Sequence, residues 1–415
     1  MSDEILVSLI IPVYNTGEYL VECLDSCIRQ TLSNIEIICV DDGSTDDSLK
    51  ILNEYSKKDN RVRVFAQKNS GQSVARNKGM KLAEGKYIAF LDSDDSLNPC
   101  MLEKLYNQAN ADNADITMCS INVVNEKTEC CTKTDSYFSL DIIPKEFEHK
   151  TFNWKDVRDF IFRIPVTPWN KLYKRSFLKY EKIKFLEKIT FEDNIFFLEA
   201  FLSAKRVNFL REALVNYRYF SKTSYSTNHG KNDYKKLDFF KIFKVEEKIL
   251  RSKKIYNELR TDFLAYKKYT LINWFEKISD KRVKLLYAIK LYLLYPELFF
   301  EKALWHFRKQ NIIKKLNMIT KDKRIMFRGA SKILEEILKS KSLKNKKNIL
   351  GIIDKNESRI GDNIEGIEIF GYDILRKIDV DELVLSVLNV CNFEKIVKNE
   401  LKNENLNIEI NYTTF

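Results

Sequence analysis

Ile35-Glu36-Ile37-Ile38-Cys39-Val40-Asp41-Asp42-Gly43-Ser44-Thr45-Asp46 is the stretch that decides the fold. A short, almost wholly apolar run breaks into carboxylates, a glycine and hydroxyls, and a helical pattern carrying Leu49, Ile51 and Leu52 follows. Thr45 is placed to cap that helix, with Ser48 three residues beyond it. The same unit recurs on both sides. Upstream, residues 5–14 form a nearly continuous apolar run, followed by a turn at 15–17 and a helix from near Glu18. Downstream come a strand over 62–66, a helix over 72–83, and a strand over 87–91 that runs into Asp92-Ser93-Asp94-Asp95. A fifth strand is expected at 116–119. Apolar strands separated by helices of about 12 residues predict a mostly parallel sheet covered on both faces. In such α/β sheets the ligand crevice lies at the carboxyl ends of the strands, where the polar residues cluster here.

The chain has 415 residues, too many for one ordinary core, so two or three domains are expected. Apolar residues make up 44% and charged residues 31%, with only 11 Gly and 6 Pro, which excludes a collagen-like or generally disordered protein. The 70 Lys and Arg against 59 Asp and Glu leave a charge of +11, which favours anionic partners. Eight cysteines are scattered with no Cys-x-x-Cys unit, as in reduced cytosolic proteins and not in a disulfide scaffold. Cys23 and Cys27 can share a helix face, but without nearby histidines they make a poor zinc site. With no basic leader and no clean apolar run of about 18 residues, conventional secretion and membrane spanning are not expected.

Residues 120–230 are less regular. Pro165 and Pro168 interrupt the chain before Trp169-Asn170-Lys171, and Phe191-Glu192-Asp193-Asn194 opens an apolar helix over 195–202. Glu192 and Asp193 fall in its first turn, where negative charge is favourable. Residues 231–320 read as helical, with 22 Lys and Arg against 10 Asp and Glu. Among those charges lie Tyr266, Tyr269, Trp274, Phe275, Tyr287, Tyr292, Tyr295, Trp305 and Phe307. This stretch fits an anionic membrane or a lipid-phosphate substrate, or else a packing module with a solvated basic face. A second α/β rhythm starts near Arg324, with strands over 325–327, 348–353 and 383–388 and a helix over 332–341. Its first turn carries one glycine, Gly329, where dinucleotide binding needs several, although Asp354 falls where a ribose-binding acid would. A structural or assembly role is therefore expected of this Rossmann-like segment. The expected domains are an α/β domain over 1–230, a basic helical region over 231–320 and a Rossmann-like domain over 321–415.

Four strand ends carry the candidate chemistry. Ile10-Ile11-Pro12-Val13-Tyr14-Asn15 supplies an extended edge and a turn, and Val40-Asp41-Asp42-Gly43-Ser44 supplies carboxylates and flexible backbone. Asn69-Ser70-Gly71-Gln72-Ser73-Val74-Ala75-Arg76-Asn77 adds a helix entrance suited to anions, and Phe90-Leu91-Asp92-Ser93-Asp94-Asp95 adds oxygen ligands. Helix N-termini attract phosphate through unpaired N–H groups, and Mg²⁺ or Mn²⁺ prefers carboxylate and phosphate oxygens. Together these features favour a metal-bound nucleotide diphosphate.

Residues 5–120 resemble the donor-binding half of a family 2 glycosyltransferase with a GT-A fold. The motifs that carry the resemblance are Pro12-Val13-Tyr14-Asn15, Asp41-Asp42-Gly43-Ser44-Thr45-Asp46, Ala75-Arg76-Asn77-Lys78-Gly79 and Asp92-Ser93-Asp94-Asp95. Trp169-Asn170-Lys171-Leu172 and Glu192-Asp193 extend it through roughly residue 220. The resemblance implies single-displacement, inverting transfer from a nucleotide sugar, with a UDP-sugar as the leading donor and Mn²⁺ or Mg²⁺ as the ion. It implies that Asp41 contacts the nucleoside base in a pocket shaped by Pro12, Tyr14 and Asn15, with Asp42, Gly71 and Ser93 in the donor-binding loops. Asp92 is expected to orient ribose, water or metal, Asp94 to ligate the metal, and Asp95 to orient the donor sugar or support the metal site. Arg76 supports phosphate binding or makes a structural bond to the acidic loop; both readings stay open. His229 either helps to bind metal or is an ordinary surface histidine. Asp193 is the expected base for the acceptor hydroxyl, with Glu192 as the alternative or a supporting partner. For Asp193 the competing reading is an ordinary charged helix start.

The implied acceptor is an oligosaccharide or polysaccharide of the cell surface, lipid-linked acceptors included, as in capsule or lipooligosaccharide assembly. No nucleic-acid partner is expected, and the expected location is the cytoplasm or the inner face of the cytoplasmic membrane. No Gln-x-x-Arg-Trp follows the candidate base, which argues against a processive synthase. Two other functions remain in view: sugar-1-phosphate nucleotidyl transfer, and a non-enzymatic scaffold for polysaccharide assembly.

Overall fold

The computed structural model describes residues 4–125, 131–132, 140–148, 150–219, 233–296, 313–314, 316–318, 320–328, 332–344, 346–354, 359–378, 380, 382–385 and 412–414. The chain forms two compact units, Met1–Lys290 and Leu291–Phe415.

In the first unit, β1 (Val7–Val13), β2 (Ile35–Asp41), β3 (Val62–Ala66) and β4 (Tyr87–Phe90) pair in parallel in the order β3-β2-β1-β4. Their crossovers contain α1 (Gly17–Ile28), α2 (Ser48–Lys58) and α3 (Gln72–Leu82). Every residue of β1 and β2 is buried because both faces are covered. Val7, Leu9, Ile11 and Val13 join one core with Leu20, Cys23, Leu24 and Cys27 of α1. On the other face Ile10 lies against Gly79 of α3, where an added Cβ would stand 2.4 Å from its Cγ2. Two covered faces are why these strands read as continuous apolar runs and not as alternating ones.

The chain continues through β5 (Ser96–Leu97), α4 (Met101–Ala111), β6 (Ile116–Asn125), β7 (Cys131–Thr132), β8 (Lys171–Lys174), α5 (Arg175–Tyr180), α6 (Asp193–Ser203) and β9 (Val207–Tyr219). The sheet extends as β4-β8-β6-β9-β5, with β7 beside β6. Here β8 is antiparallel to β4 and β6, and β9 is parallel to β6, so the parallel character is concentrated in the N-terminal half. Phe90 meets Phe185 at 5.2 Å and Phe196 at 5.8 Å, both edge-on, and this packing ties α6 to the face of β4. Burial of each such ring contributes about 2 kcal/mol.

The start of α2 differs from the expected cap. Thr45 gives its N–H to Asn15 Oδ1 at 2.8 Å. Asp46 instead accepts from the Ser48 N–H through Oδ1 and from the Gly17 N–H through Oδ2, each at 3.0 Å. A carboxylate is the stronger acceptor and stands one residue nearer the helix, so the threonine serves the turn after β1.

The helices α7 (Phe239–Ser252), α8 (Tyr256–Glu276) and α9 (Lys281–Leu294) follow. Their aromatics divide into two sets. Tyr287 is fully buried and Trp274 stacks on Phe239, whereas Tyr269 is 72% exposed and Tyr292 47%. Trp305 and Phe307 lie outside the described residues. Among the described residues no helix is long and apolar enough to cross a membrane, and Cys23, Cys27, Cys39, Cys100 and Cys119 are free thiols.

The second unit holds β10 (Ile325–Arg328), α10 (Lys332–Leu338), β11 (Ile349–Ile353), β12 (Asn363–Ile364), β13 (Ile367–Phe370), β14 (Glu382–Leu385) and β15 (Tyr412–Thr414). The order is β12-β13-β11-β10-β14-β15, parallel except for the β12–β13 pair, which is the Rossmann-like arrangement expected. Gly329 lies outside the described residues, and Asp354 sits 4.0 Å from Arg359.

Candidate active site

The turns after β1 and β2 hold each other in place. Asn15 adopts a left-handed backbone with φ 51°, and its N–H donates to Ser44 Oγ at 3.0 Å. Pro12 lies within β1, opposite Val40 of β2. The Thr16 hydroxyl donates to Ser93 Oγ at 2.9 Å, which links this turn to the one after β4. Asp41 is buried and accepts from the Gly43 N–H at 3.2 Å and the Ser44 N–H at 3.3 Å. Gly43 has φ 76°, and a Cβ there would stand 2.8 Å from the Asn69 nitrogen, so only glycine fits. Asp42 accepts from Gln67 Nε2 at 2.8 Å, the Ser70 N–H at 2.9 Å and the Gly71 N–H at 2.7 Å. It thereby shapes the loop that enters α3. Tyr14, Ser70 and Gly71 are exposed, and nothing lies within 4 Å of where a Gly71 Cβ would be.

The acidic turn after β4 is crowded with negative charge. Asp92 Oδ1 accepts from Arg76 Nη2 at 2.6 Å and from Gln72 Nε2 at 3.0 Å. Ser93 is buried and Asp94 partly exposed. Arg218 of β9 gives its N–H to Asp95 Oδ1 at 2.8 Å and its Nε to the Asp94 carbonyl at 3.0 Å. Among the described residues, none offers a hydrogen bond to the buried Asp95 Oδ2. Burial, followed by the charges of Asp94 and Asp92, pushes the Asp95 carboxyl well above its ordinary range. Among the described residues no three His, Cys, Asp or Glu side chains converge into a metal cage. An all-oxygen donor set with few protein ligands suits Mg²⁺ or Mn²⁺, which complete their shells with phosphate and water. The acidic turn therefore fits such an ion in the presence of a diphosphate. His229 lies outside the described residues.

Arg76 joins this turn to the second acidic pair. Its guanidinium is 3% exposed and also donates from Nη1 to Glu192 Oε1 at 2.7 Å. Removing one partner of a buried ion pair typically costs about 3–5 kcal/mol. Bridging two carboxylates is therefore the bond that holds Arg76 in this structure, and it favours the structural reading of that residue. Glu192 is buried and committed to Arg76. Asp193, at the start of α6, is partly exposed, and its Oδ1 accepts from the Asn194 N–H at 3.0 Å and from Asn194 Nδ2 at 3.1 Å. Burial first, then the Glu192 charge, raises the Asp193 carboxyl to about 7, against the opposing pull of Arg76 and the Asn194 N–H. Asp193 thus combines a partly open position with a pKa matched to proton transfer near neutrality.

Trp169 is buried and stacks on Tyr217 at 5.3 Å, so it forms part of the wall of the sheet. Lys171 is fully buried and donates to the Pro165 carbonyl at 2.7 Å, the Thr167 carbonyl at 2.6 Å and Asn170 Oδ1 at 2.8 Å. It pins the proline-rich approach to β8, and burial brings its ammonium down to about 7. Reading the sequence had not singled out Gln72, Arg218 or the anchoring role of Lys171. No local signal marked Arg218, because its partners lie more than a hundred residues earlier.

The family model described as "Glycosyl transferase family 2" matches residues 8–180. The cholesterol galactosyltransferase of Borreliella burgdorferi is 32% identical over 310 residues, which are 70% of this chain and 83% of that protein. EpsJ of Bacillus subtilis, an uncharacterized glycosyltransferase, is 38% identical over 214 residues. That match takes in 51% of this chain, and the chain spans 61% of the length of EpsJ. The solved structure of S. aureus TarS 1-349 in complex with UDP-GlcNAc is 23% identical, with a TM-score of 0.48, over 72% of this chain and 87% of that one.

Proposed function

The chain belongs to glycosyltransferase family 2, and from that premise we propose that it transfers a sugar, with inversion, from a UDP-sugar to a hydroxyl of a surface glycan. The observation that carries this reading is Arg76, which joins the Asp92 turn to the Glu192-Asp193 pair through two charged hydrogen bonds. In this assignment Asp41 recognises the nucleoside base, with Pro12, Tyr14 and Asn15 around it. Asp42, Gly71 and Ser93 shape the donor loops, and Asp92 orients the ribose. Asp94, supported by Asp95, would hold Mn²⁺ or Mg²⁺. When bound, that ion supplies positive charge against the diphosphate leaving group. The acceptor oxygen attacks the anomeric carbon opposite the diphosphate, the bond from carbon to phosphate oxygen breaks with its electron pair leaving on the diphosphate, and the hydroxyl proton passes to Asp193.

The test is a donor-by-acceptor screen of the full chain with UDP-, GDP- and dTDP-sugars and Mn²⁺, read by mass spectrometry. Oligosaccharide and lipid-linked acceptors are included, and a sterol is added because the Borreliella relative is named for one. Glycan product from a UDP-sugar is the expected result; neither product nor free nucleotide from any donor would reject the reading. NMR of the purified product gives the linkage and its stereochemistry.

We assign residues 1–230 to catalysis, 231–320 to the acceptor or membrane side and 321–415 to assembly. The exposure of Leu285, Tyr269 and Leu293, at 62%, 72% and 69%, supports contact between the basic helices and an anionic bilayer at the inner membrane face. The chain should therefore float with anionic liposomes at low salt and be released as salt rises. Equal recovery with neutral liposomes would count against an anionic preference, and no recovery with either against membrane contact.

A further inference from the structure

The acid at the head of α6 is held by residues far from the donor loops. Phe191, two residues before Asp193, has a left-handed backbone with φ 61°, a conformation that a bulky side chain rarely adopts unless its surroundings enforce it. Its ring lies 4.8 Å from Phe239 of α7 and 5.1 Å from Trp274 of α8, and those two rings stack at 5.4 Å. One residue earlier, the Thr190 N–H donates to Asp238 Oδ2 at 3.0 Å. On the other side of the acid, the Tyr266 hydroxyl of α8 donates to Asn194 Oδ1 at 3.1 Å. Asn194 Nδ2 donates in turn to Asp193 Oδ1 at 3.1 Å and to the Phe191 carbonyl at 3.0 Å. The Tyr266 ring is itself fixed, stacked on Phe162 at 5.3 Å and edge-on to Phe243 at 5.4 Å.

We propose that α7 and α8 position the base: Tyr266 orients the Asp193 carboxylate through Asn194, while Phe239 and Trp274 hold Phe191 in the left-handed turn that presents it. This rests on the reading of Asp193 as the base. The basic helical region then has a task in catalysis distinct from any contact with a membrane. Tyr266 and Trp274 are positioning residues, because neither touches the reacting atoms. A base displaced by a fraction of an ångström loses its alignment with the acceptor hydroxyl, and such displacements cost rate more than binding.

The experiment uses the full chain with the donor and acceptor pair of highest turnover in the screen. Tyr266→Phe removes one hydroxyl and keeps the ring, so the packing with Phe162 and Phe243 survives. It should lower kcat about tenfold with donor KM within twofold of the unmodified chain. Trp274→Leu should lower kcat further, with Trp274→Phe restoring most of it. Hydrogen exchange read by mass spectrometry should speed up across residues 190–195 in Tyr266→Phe and stay unchanged at residues 92–95. Unchanged kcat together with unchanged exchange at 190–195 would overturn the positioning role, as would a parallel loss of donor affinity and kcat in Tyr266→Phe. Asp193→Asn separates the two ideas. If it retains full kcat, the base assignment fails; if it is inactive while Tyr266→Phe is unaffected, only the positioning role fails.

Discussion

Asp193→Asn is expected to lower kcat by about 10²–10⁴-fold while leaving donor KM within a few-fold. Asparagine keeps the size of the side chain and can still accept from Asn194, so the start of α6 should survive. What is lost is an acceptor for the hydroxyl proton. The pH profile gives a second reading of the same group. Burial and the Glu192 charge hold Asp193 at about 7, with Arg76 pulling the other way. A base works in its ionised form, so kcat of the unmodified chain should climb with pH through about 7 and level off above it. Below that midpoint the rate should fall about tenfold per pH unit as the carboxylate takes up a proton. The acidic limb should vanish in Asp193→Asn. An unchanged initial velocity in that variant would remove Asp193 from the role, and Glu192, buried against Arg76, would then be the acid to test.

Asp94→Asn should reduce kcat/KM by about 10³-fold at a fixed Mn²⁺ concentration. Asp92 and Asp94 are both partly exposed, Asp92 with its Oδ1 accepting from Arg76 and Gln72, while Asp95 is buried and receives the Arg218 N–H. We propose Asp94 as the ligand because the family resemblance places it at the metal position of this acidic turn. The substitution removes one charge from a crowded set, so it should relieve repulsion on Asp95 and leave the fold intact. Turnover measured across a Mn²⁺ titration distinguishes a lost ligand from a lost fold, since a weakened site demands more ion. Turnover at the cation concentration that serves the unmodified chain would exclude Asp94 as ligand.

Much of the first unit was legible from the chain. The strands over 35–40 and 87–91 were readable because covered faces leave nearly unbroken apolar runs, with Glu36 the polar exception, whereas the strand over 62–66 carries Arg63 and is only partly buried; each gave way to a turn where polar groups cluster. The second rhythm after Arg324 was readable from its apolar runs over 325–327 and 348–353, whereas the antiparallel pair β12–β13 was not among the expected strands. The start of α2 was misread because Thr45 and Asp46 both satisfy the local pattern, and which of them meets the Ser48 N–H depends on Asn15 and Gly17 in another turn. The helical region was ambiguous because its aromatic spacing alone cannot tell Trp274, stacked on Phe239, from Tyr269, 72% exposed.

By itself the sequence determined the alternation of strand and helix, the acidic turns at strand ends and the candidate acids, because periodicity and turn chemistry act over a few neighbouring residues. Only the tertiary structure decided what those residues touch. Glu192, 116 residues away, shares the Arg76 guanidinium with Asp92, a bridge that no local motif marks. Arg218 had no motif to mark it until β9 laid it against Asp94 and Asp95. Nor did Tyr266 bear on the site until α8 brought its hydroxyl to Asn194. Hydrogen bonds and ion pairs depend on position in space to within a fraction of an ångström, and that position is set by the packing of elements distant along the chain.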